Sequence, residues 1–139
     1  MILLSEAKQS LLNGDADQMI CSVYGCGKDR TAGYRDRLVH LLEGYREVFG
    51  EGEVELFSAP GRTELGGNHT DHQKGCVLAG SVNLDVIACA APNGTDVIRI
   101  MSEGYPKNEV RVTELEIVPE EKNTTAALIR GVASAIARR

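Results

Sequence analysis

Between Glu53 and Ala91 the sequence alternates, breaks and alternates again, and no other stretch constrains the fold as strongly. Glu53-Val-Glu-Leu-Phe-Ser58 interleaves polar and apolar residues, the period of a short strand. Beyond residue 76, Val82, Leu84, Val86, Ala88 and Ala90 share one parity, which predicts a long strand over 76–91 with Gly80 as the place for a bulge. Between the two lies PGRTELGGNHTDHQ, residues 60–73. Pro60-Gly61 is expected to turn the chain out of the first strand, and Gly66-Gly67 allows positive φ or close approach to a ligand.

The flanking sequence extends this pattern. Residues 2–12 predict a short helix ended by Asn13-Gly14-Asp15, and residues 13–30 read as irregular. Tyr34, Leu38, Leu41, Leu42, Tyr45, Val48 and Phe49 recur at three and four, so 31–49 is a helix with one apolar stripe, started by Asp29 or Thr31 and stopped by Gly50. His40 lies beside that stripe as a partly exposed helix histidine. After the turn Pro92-Asn93-Gly94, 96–102 and 107–116 read as further strands. Pro119 breaks the last of these, and Asn123 caps a final helix with Ile129, Val132, Ala133 and Ile136 on one face. The expected class is α+β, a mixed, largely antiparallel sheet with flanking helices.

A net charge of −5 argues against nucleic acid as a partner, and no apolar run reaches the roughly 18–20 residues of a membrane span. Of the four cysteines, Cys21 and Cys26 are spaced C-x4-C with no second pair to complete a zinc site, while Cys76 and Cys89 sit among apolar residues. Free thiols in a reducing cytoplasm are expected. Gly25-Cys26-Gly27-Lys28 lacks the spacing of a phosphate loop and reads as a turn.

The chemistry is concentrated in residues 60–73. Arg62 has a persistent charge and a planar fork suited to an anion. Glu64, Asn68, His69, Asp71 and His72 add carboxylates, an amide and imidazoles, the donors and acceptors that a polyhydroxylated ligand needs. Local chemistry leaves three readings open: a ligand-binding loop, a metal site from His69, Asp71 and His72, and a structural loop with Asn68 and Asp71 capping turns.

Residues 59–75, APGRTELGGNHTDHQKG, closely resemble the galactokinase signature through Pro60, Gly61, Arg62, Leu65, Gly67, His69, Thr70, Asp71 and Gly75. The order of elements over 30–139 is similar to the amino-terminal part of sugar kinases of the GHMP superfamily. The resemblance implies a domain over 31–139, preceded by the irregular segment 1–30. It implies that Asp71 and His69 bind sugar hydroxyls, with Asn68 beside them, and that Arg62 stabilises charge at the hydroxyl attacking the γ-phosphate. It implies no metal ligands in this chain. Asn68 replaces the usual glutamate and His72 an aromatic residue, so galactose is the default sugar and a related hexose the variant.

The family's Gly-Leu-Ser-Ser-Ser-Ala phosphate loop and its later catalytic aspartate do not occur in the 139 residues. The resemblance therefore implies an amino-terminal portion that ends before the ATP site and is inactive alone. ATP and Mg2+ belong to the complete enzyme, which would phosphorylate galactose at its anomeric hydroxyl in the cytoplasm. The alternative is a non-catalytic sugar-binding or sensing protein derived from a galactokinase.

Overall fold

The computed structural model describes residues 1–67 and 73–138. The chain divides into two compact units, Met1–Ala91 and Pro92–Arg139.

The first unit opens with a two-residue strand, β1 (Ile2–Leu3), and helix α1 (Leu4–Asn13). Gly14 ends α1 at φ +80°, a left-handed conformation that glycine adopts without the Cβ penalty. A second helix, α2, spans Asp17–Tyr24. Residues 1–30 are thus largely helical, which corrects the reading of 1–30, and of 13–30 in particular, as irregular. The reason is physical: α2 is a helix of eight residues and buries only Ile20, so no repeating stripe marks it.

Helix α3 (Thr31–Phe49) matches its expected bounds, and Gly50 at φ +88° stops it. Leu38 and Leu42 of the stripe are buried, Leu42 completely, whereas Val48 and Phe49 lie exposed past the core. Neither expected cap forms: the Thr31 hydroxyl donates to the Lys28 carbonyl at 3.0 Å, at the end of a 3-10 turn over Lys28–Arg30. Leu4, Ala7 and Leu11 of α1, Ile20 of α2 and Leu38 and Leu42 of α3 form one apolar core with Val54. Burying each larger side chain contributes about 1.5–3 kcal/mol. Lys8 and Glu43 pair across α1 and α3 at 2.7 Å.

Strand β2 runs Glu53–Gly66 and pairs antiparallel with β1 on one side and β3 (Leu78–Ala90) on the other. Leu56 of β2 and Ile87 and Cys89 of β3 pack against the core. The opposite face carries Phe57 and Val86, 51% and 75% exposed. The alternation located β3 correctly, and the structure turns its odd-numbered residues inward over residues 85–89. The ladder changes register between Pro60 and Arg62 and again between Glu64 and Gly66. Gly80 pairs regularly with Thr63, so the irregularities fall around Gly61 and Leu65 and not at Gly80.

In the second unit β4 (Val97–Ile100) pairs antiparallel with β5 (Asn108–Arg111), and Val110 is buried. Helix α4 (Thr125–Ala137) begins at Thr124, whose hydroxyl accepts from the Ala127 N–H at 3.3 Å. Asn123 stands one residue too early for the expected cap and takes φ +64° instead. Of the apolar face read for this helix only Ile129 is buried; Val132 and Ile136 are exposed. Arg130 of α4 makes a bidentate pair with Glu121 at 2.7 and 2.9 Å. All strand pairs among the described residues are antiparallel, and the class is α+β.

Candidate functional site

The site begins on a strand. Pro60, Gly61 and Arg62 were expected to leave the first strand at a turn, but β2 continues through them to Gly66. Proline is tolerated because a ladder irregularity begins beside it. A Cβ on Gly61 would stand 3.1 Å from the Leu84 carbonyl oxygen and 3.2 Å from Val82 Cγ2, so β3 lies tight against the backbone at this position. A register change of this kind bends a strand and re-aims the side chains after it. Arg62 follows at once, exposed, with Ser81 as its ladder partner.

Gly67 closes the described part of the stretch. It takes φ +115°, and a Cβ there would meet the Cys76 carbonyl oxygen at 2.7 Å and Val77 Cα at 2.8 Å. Both properties demand glycine: the dihedral and the contact with backbone atoms that cannot swing aside. Gly67 thereby joins Cys76 and Val77 at the base of the connection between β2 and β3. Asn68, His69 and Asp71 lie outside the described residues, as does His72. Arg62 is the one predicted site residue that the structure describes.

Beside this stretch stands a polar cluster that the sequence reading missed. The Asp85 side chain is 1% exposed. Its Oδ2 accepts from Tyr24 Oη at 2.7 Å and Ser58 Oγ at 2.6 Å, and its Oδ1 accepts from Arg37 Nη1 at 2.9 Å. Arg37 Nη2 also donates to the Asp85 carbonyl at 3.4 Å. Burial by itself would raise the Asp85 pKa. The hydrogen bonds from Ser58, Tyr24 and Arg37, with the Arg37 charge, outweigh it and hold the carboxyl below its ordinary value. Burial, then the bond to Asp85, pushes the Tyr24 hydroxyl up. Tyr24 stacks on Tyr34 with centroids 4.0 Å apart and planes 16° apart, which fixes the hydroxyl. The signal in the sequence was an aspartate inside an apolar strand.

A family model described as the galactokinase galactose-binding signature matches residues 43–92, the end of α3 and the whole β2–β3 pair. The galactokinase of Candida parapsilosis is 30% identical over 97 residues, 67% of this chain and 19% of that protein. The galactokinase of Lactococcus lactis subsp. lactis (strain IL1403) is 36% identical over 83 residues, 59% of this chain and 20% of that protein. That of Chloroflexus aurantiacus is 28% identical over 99 residues, 71% and 25% of the two chains. No solved structure matches. The chain thus spans about a fifth to a quarter of the length of these curated relatives. Asp85 and Ser58 lie inside the matched segment, and their partners Tyr24 and Arg37 lie outside it. These matches place the chain with the galactokinases: it carries their galactose-binding signature and is related to their amino-terminal portion.

Proposed function

We propose that this chain supplies the sugar-binding part of a galactokinase-type kinase, which transfers the γ-phosphoryl group of ATP to the anomeric hydroxyl of galactose or a related hexose. The observation that carries the reading is the signature match over β2 and β3, together with Gly67, where the backbone admits no side chain, and Gly61, where a Cβ would be tight against β3. Asp71 and His69 accept and donate to ring hydroxyls, and Asn68 contributes an amide where the family has a carboxylate. Arg62, carried on β2 just past the register change, stabilises charge on the attacking hydroxyl and the transferred group.

ATP and Mg2+ belong to the complete enzyme, which we assign to the GHMP superfamily and to the cytoplasm. Among the described residues no three His, Cys, Asp or Glu side chains come together, and the sequence holds no Gly-Ser phosphate loop. We assign the 139 residues to the sugar side of that enzyme and expect them to turn over no ATP by themselves. No helix of the described residues is long and apolar enough to cross a membrane.

Calorimetric titration of galactose into the chain tests the reading. Heat of binding in the parent that disappears in Asp71→Ala and His69→Ala supports it, and binding that survives both substitutions overturns it. ATP-dependent hexose phosphorylation by the chain, abolished in Arg62→Ala, would contradict the assignment of the nucleotide site to other residues. A complete protein that binds galactose and phosphorylates nothing would be the non-catalytic sugar sensor.

A further inference from the structure

Cys21 and Cys26 are brought together by the way α2 ends. Gly25 takes φ +59°, ψ +32°, and its N–H and that of Cys26 both donate to the Cys21 carbonyl, the latter at 3.3 Å. This is a helix stop in which the second residue past the end folds back over the fourth residue from the end, two positions whose side chains often make an apolar contact. In this chain both are cysteines. Both residues are half-buried, and neither is in a disulfide. The backbone bond draws the two ends of the C-x4-C spacing toward each other, as a disulfide between them requires.

We propose that Cys21 and Cys26 form a reversible disulfide that clamps the carboxy-terminal end of α2, with a small disulfide such as oxidised glutathione as the oxidant. One thiol of the pair loses its proton to solvent, and its thiolate attacks a glutathione sulfur. A protein–glutathione disulfide forms as one glutathione thiolate leaves. The second thiol, also losing its proton, displaces the second glutathione and closes the Cys21–Cys26 bond. Two electrons pass from the pair to glutathione, and the two protons end on the two glutathione thiols. The clamp would act on the helix end that carries Tyr24, hydrogen-bonded to Asp85 on β3. Burial first, then Cys26 and the Asp17 charge, raise the Cys21 pKa, so exchange at Cys21 quickens as the pH rises. The proposal is independent of any sugar or nucleotide.

The test incubates the full 139-residue chain with oxidised glutathione at mildly alkaline pH, quenches it in acid, alkylates the remaining thiols under denaturing conditions and digests with trypsin. Cleavage after Lys8 and Lys28 puts both cysteines in one peptide, residues 9–28, while Cys76 and Cys89 fall elsewhere. The expected peptide is lighter by two hydrogens, carries no alkyl group, and returns to the doubly alkylated form after dithiothreitol. In Cys26→Ser the expected product is instead a glutathione adduct on Cys21. A parent peptide that stays doubly alkylated, or that gains glutathione without closing, while exposed Cys76 takes up glutathione in the same sample, overturns the proposal.

Discussion

Asp85 lies directly across the β2–β3 ladder from Pro60, the first residue of the Pro-Gly-Arg motif. The carboxylate that gathers Tyr24, Arg37 and Ser58 therefore stands at the rung where the ladder changes register and the Pro-Gly-Arg motif begins. Helices α2 and α3 are tied to the sugar-signature strands through this one side chain. The register change is held in place from the helix side as well as by the ladder.

Removing the carboxylate should destabilise the first unit. Asp85→Ala leaves the donors of Tyr24 and Ser58 without their acceptor, and the expected cost is about 2–3 kcal/mol. Tyr24→Phe removes one donor and should cost about 1 kcal/mol. Urea unfolding followed by circular dichroism measures both. Equal midpoints for Asp85→Ala and the parent would show that the cluster does not hold the fold.

The same group sets a pH dependence. The folded pKa of Asp85 is depressed, so its contribution to stability is present above the unfolded value, near pH ~4, and is lost as the pH falls through the folded value. The unfolding midpoint of the parent should drop across this acid range, and that of Asp85→Asn should drop less. Parallel acid limbs for the two proteins would assign the acid sensitivity to other carboxylates.

Two glycines should respond in opposite directions. Gly67→Ala puts a Cβ within 2.7 Å of the Cys76 carbonyl oxygen at φ +115°, and we expect a loss of about 1–3 kcal/mol together with loss of galactose binding. Gly44 lies on the exposed side of α3 with nothing within 4 Å of a Cβ. Gly44→Ala should gain about 0.5–1 kcal/mol from helix propensity. Thermal unfolding of the two variants against the parent checks both signs.

The thiols of β3 and its approach should differ sharply in reactivity. Burial pushes the Cys89 thiol up to about 11, and it faces the core. Cys76 is exposed. At neutral pH an alkylating reagent should label Cys76 first and leave Cys89 unmodified until the protein unfolds. Time-resolved mass spectrometry of the labelled peptides follows the order, and early labelling of Cys89 would contradict the inward face of β3.

The sequence alone determined the long helix, the strands around the signature and the family. Repeating apolar positions such as Leu38 and Leu42 declare a helix whatever surrounds them, and the spaced set Pro60, Gly61, Arg62, Gly67, His69, Asp71 is specific wherever it occurs. The shape of the site was not legible in the same way. Alternation locates β3 but carries no information about which parity faces inward, because Ile87 and Cys89 are as apolar as Val86 and Ala88. That choice was made by packing against α1, α2 and α3. The short helix α2 was hidden because it buries a single side chain, and its role rests on Tyr24 meeting a residue 61 positions away. Contacts so distant along the chain leave no periodic trace. Only the tertiary fold could bring Tyr24, Arg37, Ser58 and Asp85 to one point beside Pro60, where desolvation makes four ordinary polar residues depend on one another.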